Sequence, residues 1–158
     1  MRLGELAHAR RNTRRLLAAG GREHGAAHYP LLVLLHAVWL AALAWSATSA
    51  AHIHWPWLAV AVAAMLLRLW AVASLGPRWT TRVIVLPEAP LVVRGPYRLT
   101  RHPNYLAVAV EMYALAFAVD AVPAGLVLGT LNLPLLAWRI RAEDRALGRA
   151  APGAIRRG

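Results

Sequence analysis

The chain has no cysteine, no lysine and one phenylalanine, and only seven of its 158 residues are acidic. Without cysteine there are no disulfides and no thiolate ligands for a metal. With so few acids against 18 basic residues, the formal net charge is +11 and the sequence pI is near 11.7. Such a balance suits a nucleic-acid binder, but the distribution of the charge argues against one. Every basic residue is arginine, and all but Arg68 fall in residues 1–29, 76–104 and 139–158. Between these clusters lie apolar runs. Hydrophobic residues make up 59% of the chain and the mean hydropathy is +0.45, which belongs to the membrane class.

Residues 31–51 carry no charge. At about 1.5 Å per residue they match the roughly 30 Å of a hydrocarbon core. A second run, 55–75, opens on Trp55 and Trp57, where interfacial aromatics sit. Two shorter runs, 105–119 and 122–138, meet at Asp120, Pro123 and Gly125. Arginine-rich segments thus alternate with arginine-poor ones. Four spans place both termini and the long middle loop in the cytoplasm, by the positive-inside rule. The expected fold is an all-α integral membrane protein of about four transmembrane helices, with an N-terminal amphipathic helix, a small cytoplasmic β-hairpin loop and a separate C-terminal cytoplasmic helix after residue 138. A soluble bundle would show a polar face that residues 31–45 lack. A signal peptide would not begin thirty residues in and be followed by further spans.

Residues 1–29 read as a basic amphipathic segment, with a helix over 3–19 stopped by Gly20 and Gly21, suited to lying on an anionic leaflet. Residues 30–158 form the membrane domain. In the middle loop, 82–86 and 91–93 are rich in β-branched residues around Pro87 and Pro90, which predicts a small hairpin. The end of the chain, 151–158, reads as a frayed tail.

Polar residues gather in two places. The first cluster runs from Arg94 through Tyr97, Arg98, Arg101, His102, Pro103 and Asn104 to Tyr105, and ends where the third span begins. Pro103 disfavours helix at His102 and suits a helix's first turn, so free backbone N–H groups with Arg101 and His102 beside them offer an anion site. Interfacial anchoring is the alternative. The second cluster follows the fourth span: Arg139, Arg141, Glu143, Asp144 and Arg145. Here Arg139 and Glu143 are spaced as an i,i+4 pair, and the alternative is a solvated salt-bridged helix. Both clusters face one side of the membrane. Inside the spans, Arg68, Glu111 and Asn132 are costly to bury and are candidates for function, although Arg68 and Glu111 can neutralise each other and Asn132 can serve a kink at Pro134. His24 with His28, and His52 with His54, lack a third ligand, so no metal site is expected.

Arg101-His102-Pro103-x-Tyr105 at the start of a span, preceded by Gly95-x-Tyr97-Arg98 and followed by the Arg139-x-Arg141-x-Glu143-Asp144 helix, resembles the isoprenylcysteine carboxyl methyltransferase family and its phospholipid-methyltransferase relatives. The likeness covers roughly residues 80–148. Arg22-Glu-His-Gly25, His28-Tyr-Pro30, Leu106, Glu111 and Leu131-Asn132 look like bacterial members that methylate alkylpyrones.

The resemblance implies S-adenosylmethionine as methyl donor, bound at the cytoplasmic face by segments 76–104 and 139–150, and a lipid-like acceptor arriving from the bilayer. It nominates His102, Pro103, Tyr105, Arg141 and Glu143 for the cofactor, with Tyr97 and Arg101 nearby. Asp144 stands where the family often has a second glutamate, keeping the charge with a shorter reach. Arg98 or Arg101 would hold an anionic acceptor, and Glu111 or His102 would be the base for an amine. The glycine-rich turn of a soluble Rossmann-type enzyme is missing. The leading acceptor is an alkylpyrone-type enol, next an isoprenylcysteine carboxylate, then a phospholipid amine. A non-enzymatic membrane anchor is the rival from another class.

Overall fold

Over some twenty apolar residues, broken in the second run by Arg68 alone, the chain has little reason to expose one helix face more than another, and two long helices form there. The computed structural model describes residues 2–25, 29–49, 52–87 and 89–148. Its elements are α1 (Arg2–Ala18), β1 (Arg22–His24), α2 (Tyr29–Ser49), α3 (Trp55–Leu75), β2 (Val83–Val85), α4 (Pro103–Ala118) and α5 (Val122–Ala146). Within and around α2 and α3, Tyr29–Thr48 and Trp55–Arg78 are long and apolar enough to cross a membrane. Only 11% and 17% of these stretches is buried by protein, so neither is the wrapped core helix of a soluble bundle. Leu34, Trp45, Leu66 and Trp70 stand open on their outer faces.

Helix α3 stops at Gly76, which adopts φ 55° and is followed by Pro77. Helix α4 begins at Pro103 and lies between α3 and α5. Close packing follows from small residues: Ala107, Ala114, Ala116 and Ala118 of α4 are buried. A side chain at Gly125 would meet Ala116, and one at Gly129 would meet the Tyr113 ring. At the arginine-poor end, His54 joins the two connections. Its backbone N–H donates to the Ala118 carbonyl at 3.0 Å, and its Nε2 lies 2.7 Å from Asp120 Oδ1.

Helix α1 is not left on its own. Ala9, Asn12 and Leu16 are buried, and Asn12 Nδ2 donates to the carbonyls of Gly76 (3.1 Å) and Trp79 (2.8 Å), seating the helix on the turn after α3. Arg10, Arg11, Arg14 and Arg15 are exposed.

Two expectations need correction. No hairpin joins 82–86 to 91–93. Instead β2 pairs antiparallel with β1, in register Arg22↔Val85, Glu23↔Ile84 and His24↔Val83. Pro87 and Pro90, in the would-be turn, have no N–H to donate across it. The distant partner is secured by an Arg82–Glu23 ion pair at 3.0 Å and a Tyr29–Thr81 hydroxyl contact at 3.2 Å. Nor is the charged segment after residue 138 a separate helix, because α5 runs unbroken through Pro134 to Ala146. His28 and the tail 151–158 lie outside the described residues.

Candidate functional site

The site is assembled from three stretches that the fold brings to the arginine-rich end. The first is the turn Gly95–Arg98. Gly95 has φ 59°, and a Cβ there would collide with the Ser74 hydroxyl, so glycine alone lets this turn lie against α3. Arg94 Nε donates to the Ser74 carbonyl at 2.9 Å and fixes the approach. The second stretch is the start of α4. His102 holds a non-helical conformation (φ −131°, ψ 57°) ahead of Pro103, and its carbonyl accepts from Tyr105 and Leu106 as the helix begins. The third is the last three turns of α5.

These stretches meet through Tyr105. Its hydroxyl donates to Glu143 Oε2 at 2.5 Å and accepts from Arg139 Nε at 2.9 Å. The Arg139 guanidinium lies 5.6 Å from the Tyr105 ring centroid, and its Nη2 donates to the Thr81 carbonyl at 2.6 Å. The His102 ring stacks on Tyr105 with centroids 5.5 Å apart, its Nε2 3.2 Å from Asp144 Oδ1 and its Nδ1 4.0 Å from Glu143 Oε2. Two carboxylates, an imidazole, a phenol and a buried guanidinium thus form one network.

The network borders a cavity of about 150 Å³. The middle loop, including Trp79, Val83 and Leu91, supplies an apolar wall, and Tyr97, Arg101, His102, Asn104, Tyr105, Arg139 and Glu143 supply the polar one. Burial, reinforced by the Glu143 charge, pushes the Tyr97 phenol well above its ordinary range. Tyr97 is therefore neutral and a hydrogen-bond donor at any working pH.

Of the residues expected here, Tyr97, Arg101, His102, Tyr105 and Glu143 share the cavity wall. Pro103 is buried behind it as the first residue of α4. Arg98 and Arg141 are exposed and outside the lining. Glu111 faces Arg68 at 3.4 Å between α3 and α4, away from the cavity wall. Asn132 is fully buried in α5, with neither amide atom hydrogen-bonded.

Sequence reasoning undervalued Arg139 and Asn104. Arg139 and Glu143 do not pair directly; the Tyr105 hydroxyl stands between them. Asn104 lines the cavity, and its side-chain oxygen is buried without a partner. The clue to Arg139 was its phase: with Gly125, Gly129, Asn132 and Leu136 it marks the one buried face of α5.

Residues 57–149 match the model of the isoprenylcysteine carboxyl methyltransferase family. A Bacillus subtilis protein, the uncharacterized YpbQ, is 34% identical over 151 residues, covering 92% of this chain and 89% of its own. An uncharacterized Haemophilus influenzae protein is 28% identical over 152 residues, covering 90% and 86%. No solved structure matches. With the family match spanning more than half its length, the chain belongs to the isoprenylcysteine carboxyl methyltransferase family of membrane methyltransferases.

Proposed function

We propose that the chain is an S-adenosylmethionine-dependent O-methyltransferase of the cytoplasmic membrane acting on a lipid-like acceptor. The observation that carries this is the Arg139–Tyr105–Glu143 chain of hydrogen bonds, with His102 and Asp144 beside it, on the wall of one cavity. Members of the family use S-adenosylmethionine. The residues present suit it. Glu143 has a carboxylate for an ammonium or for ribose hydroxyls, Arg101 has a guanidinium for a carboxylate, and the Tyr97 and Trp79 rings can face a sulfonium. The partnerless Asn104 oxygen is a buried acceptor that a donor group in the cavity would satisfy. When bound, the cofactor would supply an electrophilic methyl on a sulfonium, from which a neutral thioether departs as the leaving group.

The remaining work falls to the protein as alignment and exclusion of water. Tyr105 fixes Glu143, and Asp144 fixes His102, so each ionisable group is held before any ligand arrives. Glu143 on the cavity wall and Asp144 behind His102 are both engaged in this way, which disfavours either as a free base. An acceptor that arrives as an oxygen anion fits best: an alkylpyrone-type enolate first, a prenylated-cysteine carboxylate second. The alternating arginine clusters support four spans, with α4 and α5 crossing after α2 and α3 and both termini inside. At 16 residues, or about 24 Å, α4 would suit a locally thinned bilayer.

The test is methyl transfer from labelled S-adenosylmethionine by the purified full chain in lipid nanodiscs. A long-chain 4-hydroxy-2-pyrone and S-farnesylcysteine are offered in turn. Labelled methyl ester or ether is expected, falling sharply in His102→Ala and Glu143→Ala. A folded chain that labels neither acceptor contradicts the proposal.

A further inference from the structure

Asn132 is the strangest residue in the molecule. It is 0% exposed, and neither its amide nitrogen nor its carbonyl oxygen has a hydrogen-bond partner. The remaining partnerless buried atoms among the described residues are single atoms of longer or partly exposed side chains. A carboxamide without partners in an apolar setting is costly, and replacing it with an apolar side chain of similar shape would remove that cost. Its surroundings add to the oddity. Pro134, two residues on, has no N–H to give the Thr130 carbonyl, so a second acceptor at this level lacks its helical donor. A chain that keeps such a pair inside a helix meant for lipid gives up stability where function has use for it.

The position of Asn132 suggests what that use is. It lies on the same buried face of α5 as Arg139, seven residues and two turns away, or about 10 Å along the axis. Arg139 ends at the Tyr105 hydroxyl and the cavity wall. Asn132 is therefore a polar group two turns further into the bundle than Arg139, outside the cavity lining, on the same buried helix face that ends at the cavity wall. A carboxamide offers two donors and an acceptor, and it is matched by a single polar head that carries both a carbonyl and a hydroxyl or acid group on a hydrocarbon tail.

We infer that Asn132 is a binding residue for the lipid-like acceptor, hydrogen-bonding its head group from within the helix bundle so that the head is presented towards Arg139 and Tyr105. The inference rests on the proposed function for the identity of the ligand. Asn132 acts by holding the acceptor, so its loss changes acceptor binding and leaves the cofactor site intact.

The experiment uses the full chain in detergent and reads binding without methyl transfer. Tryptophan fluorescence is titrated with a long-chain 4-hydroxy-2-pyrone and, separately, with S-adenosylmethionine, for wild type and Asn132→Leu. Asn132→Ala, which adds no bulk, covers the case that leucine does not fold. The variants are expected to bind the pyrone at least about tenfold more weakly while S-adenosylmethionine binds as in wild type. The leucine variant is also expected to melt at a higher temperature, because the orphan amide is gone. If both variants bind the pyrone as tightly as wild type, or if wild type does not bind it, the inference is overturned. If the pyrone binds and is lost on substitution but wild type transfers no methyl to it, the proposed function falls and this inference stands.

Discussion

The hydroxyl of Tyr105 lies 2.5 Å from Glu143 Oε2, bonding the first turn of α4 to the last turns of α5 at the cavity wall. The same hydroxyl accepts from Arg139, so one oxygen keeps an arginine and a glutamate apart while linking them. Tyr105→Phe removes that oxygen and leaves both charges without their shared partner. Such losses typically cost about 1–3 kcal/mol. The variant is expected to fold with a lower Tm and to bind S-adenosylmethionine about tenfold or more weakly, as read by calorimetric titration. Unchanged affinity would mean the bridge serves stability alone.

The Arg68–Glu111 contact between α3 and α4 is nearly enclosed, the side chains being 11% and 7% exposed. Breaking such a pair costs more than replacing it. Arg68→Met or Glu111→Met alone should destabilise by about 3–5 kcal/mol, and the double variant should recover most of the loss. Thermal melts of the three variants in one detergent check this. Additive losses would show that the two groups do not act as a pair.

Gly125 sits where a Cβ would meet Ala116 of α4. Gly125→Ala should therefore force α4 and α5 apart and cost about 1–3 kcal/mol, despite alanine's better helix propensity. A rise in Tm would contradict the described packing.

Tyr97 gives a pH prediction. Burial first, and the Glu143 charge second, raise its pKa above the ordinary value of 10.0. Above that value the unfolded chain releases this proton while the folded chain keeps it, so stability is full below about pH 10 and declines as pH rises beyond it. Tyr105 is raised in the same direction by its burial, so Tyr97→Phe should lessen this alkaline decline without abolishing it in melts taken between pH 8 and about pH 11. An identical decline in the variant would place the titrating group elsewhere.

Much of the fold could be read from uncharged length. The runs at 31–51 and 55–75 correspond to α2 and α3 because about twenty residues that are apolar, Arg68 apart, leave few options besides a helix. The start of α4 followed from Pro103. The partner of β2 could not be read, since Arg22–His24 lies sixty residues upstream and the local pattern around Pro87 and Pro90 imitates a hairpin. The bridge through Tyr105 was hidden for a related reason. Arg139 and Glu143 are correctly spaced to pair on one helix, and only the packing of α4 against α5 inserts a phenol between them. Asn132 stood out in the sequence as a polar residue in an apolar run, but its lack of partners is a property of the packed state.

The central claim is that the cavity beside Tyr105 and Glu143 is a cofactor site. Calorimetric titration of the purified full chain in detergent with S-adenosylmethionine tests it most directly. Saturable binding to wild type, abolished or weakened at least about tenfold by Glu143→Ala and by His102→Ala in chains that still melt cooperatively, is the expected result. No heat of binding from folded wild type, or binding that ignores both substitutions, would contradict the account.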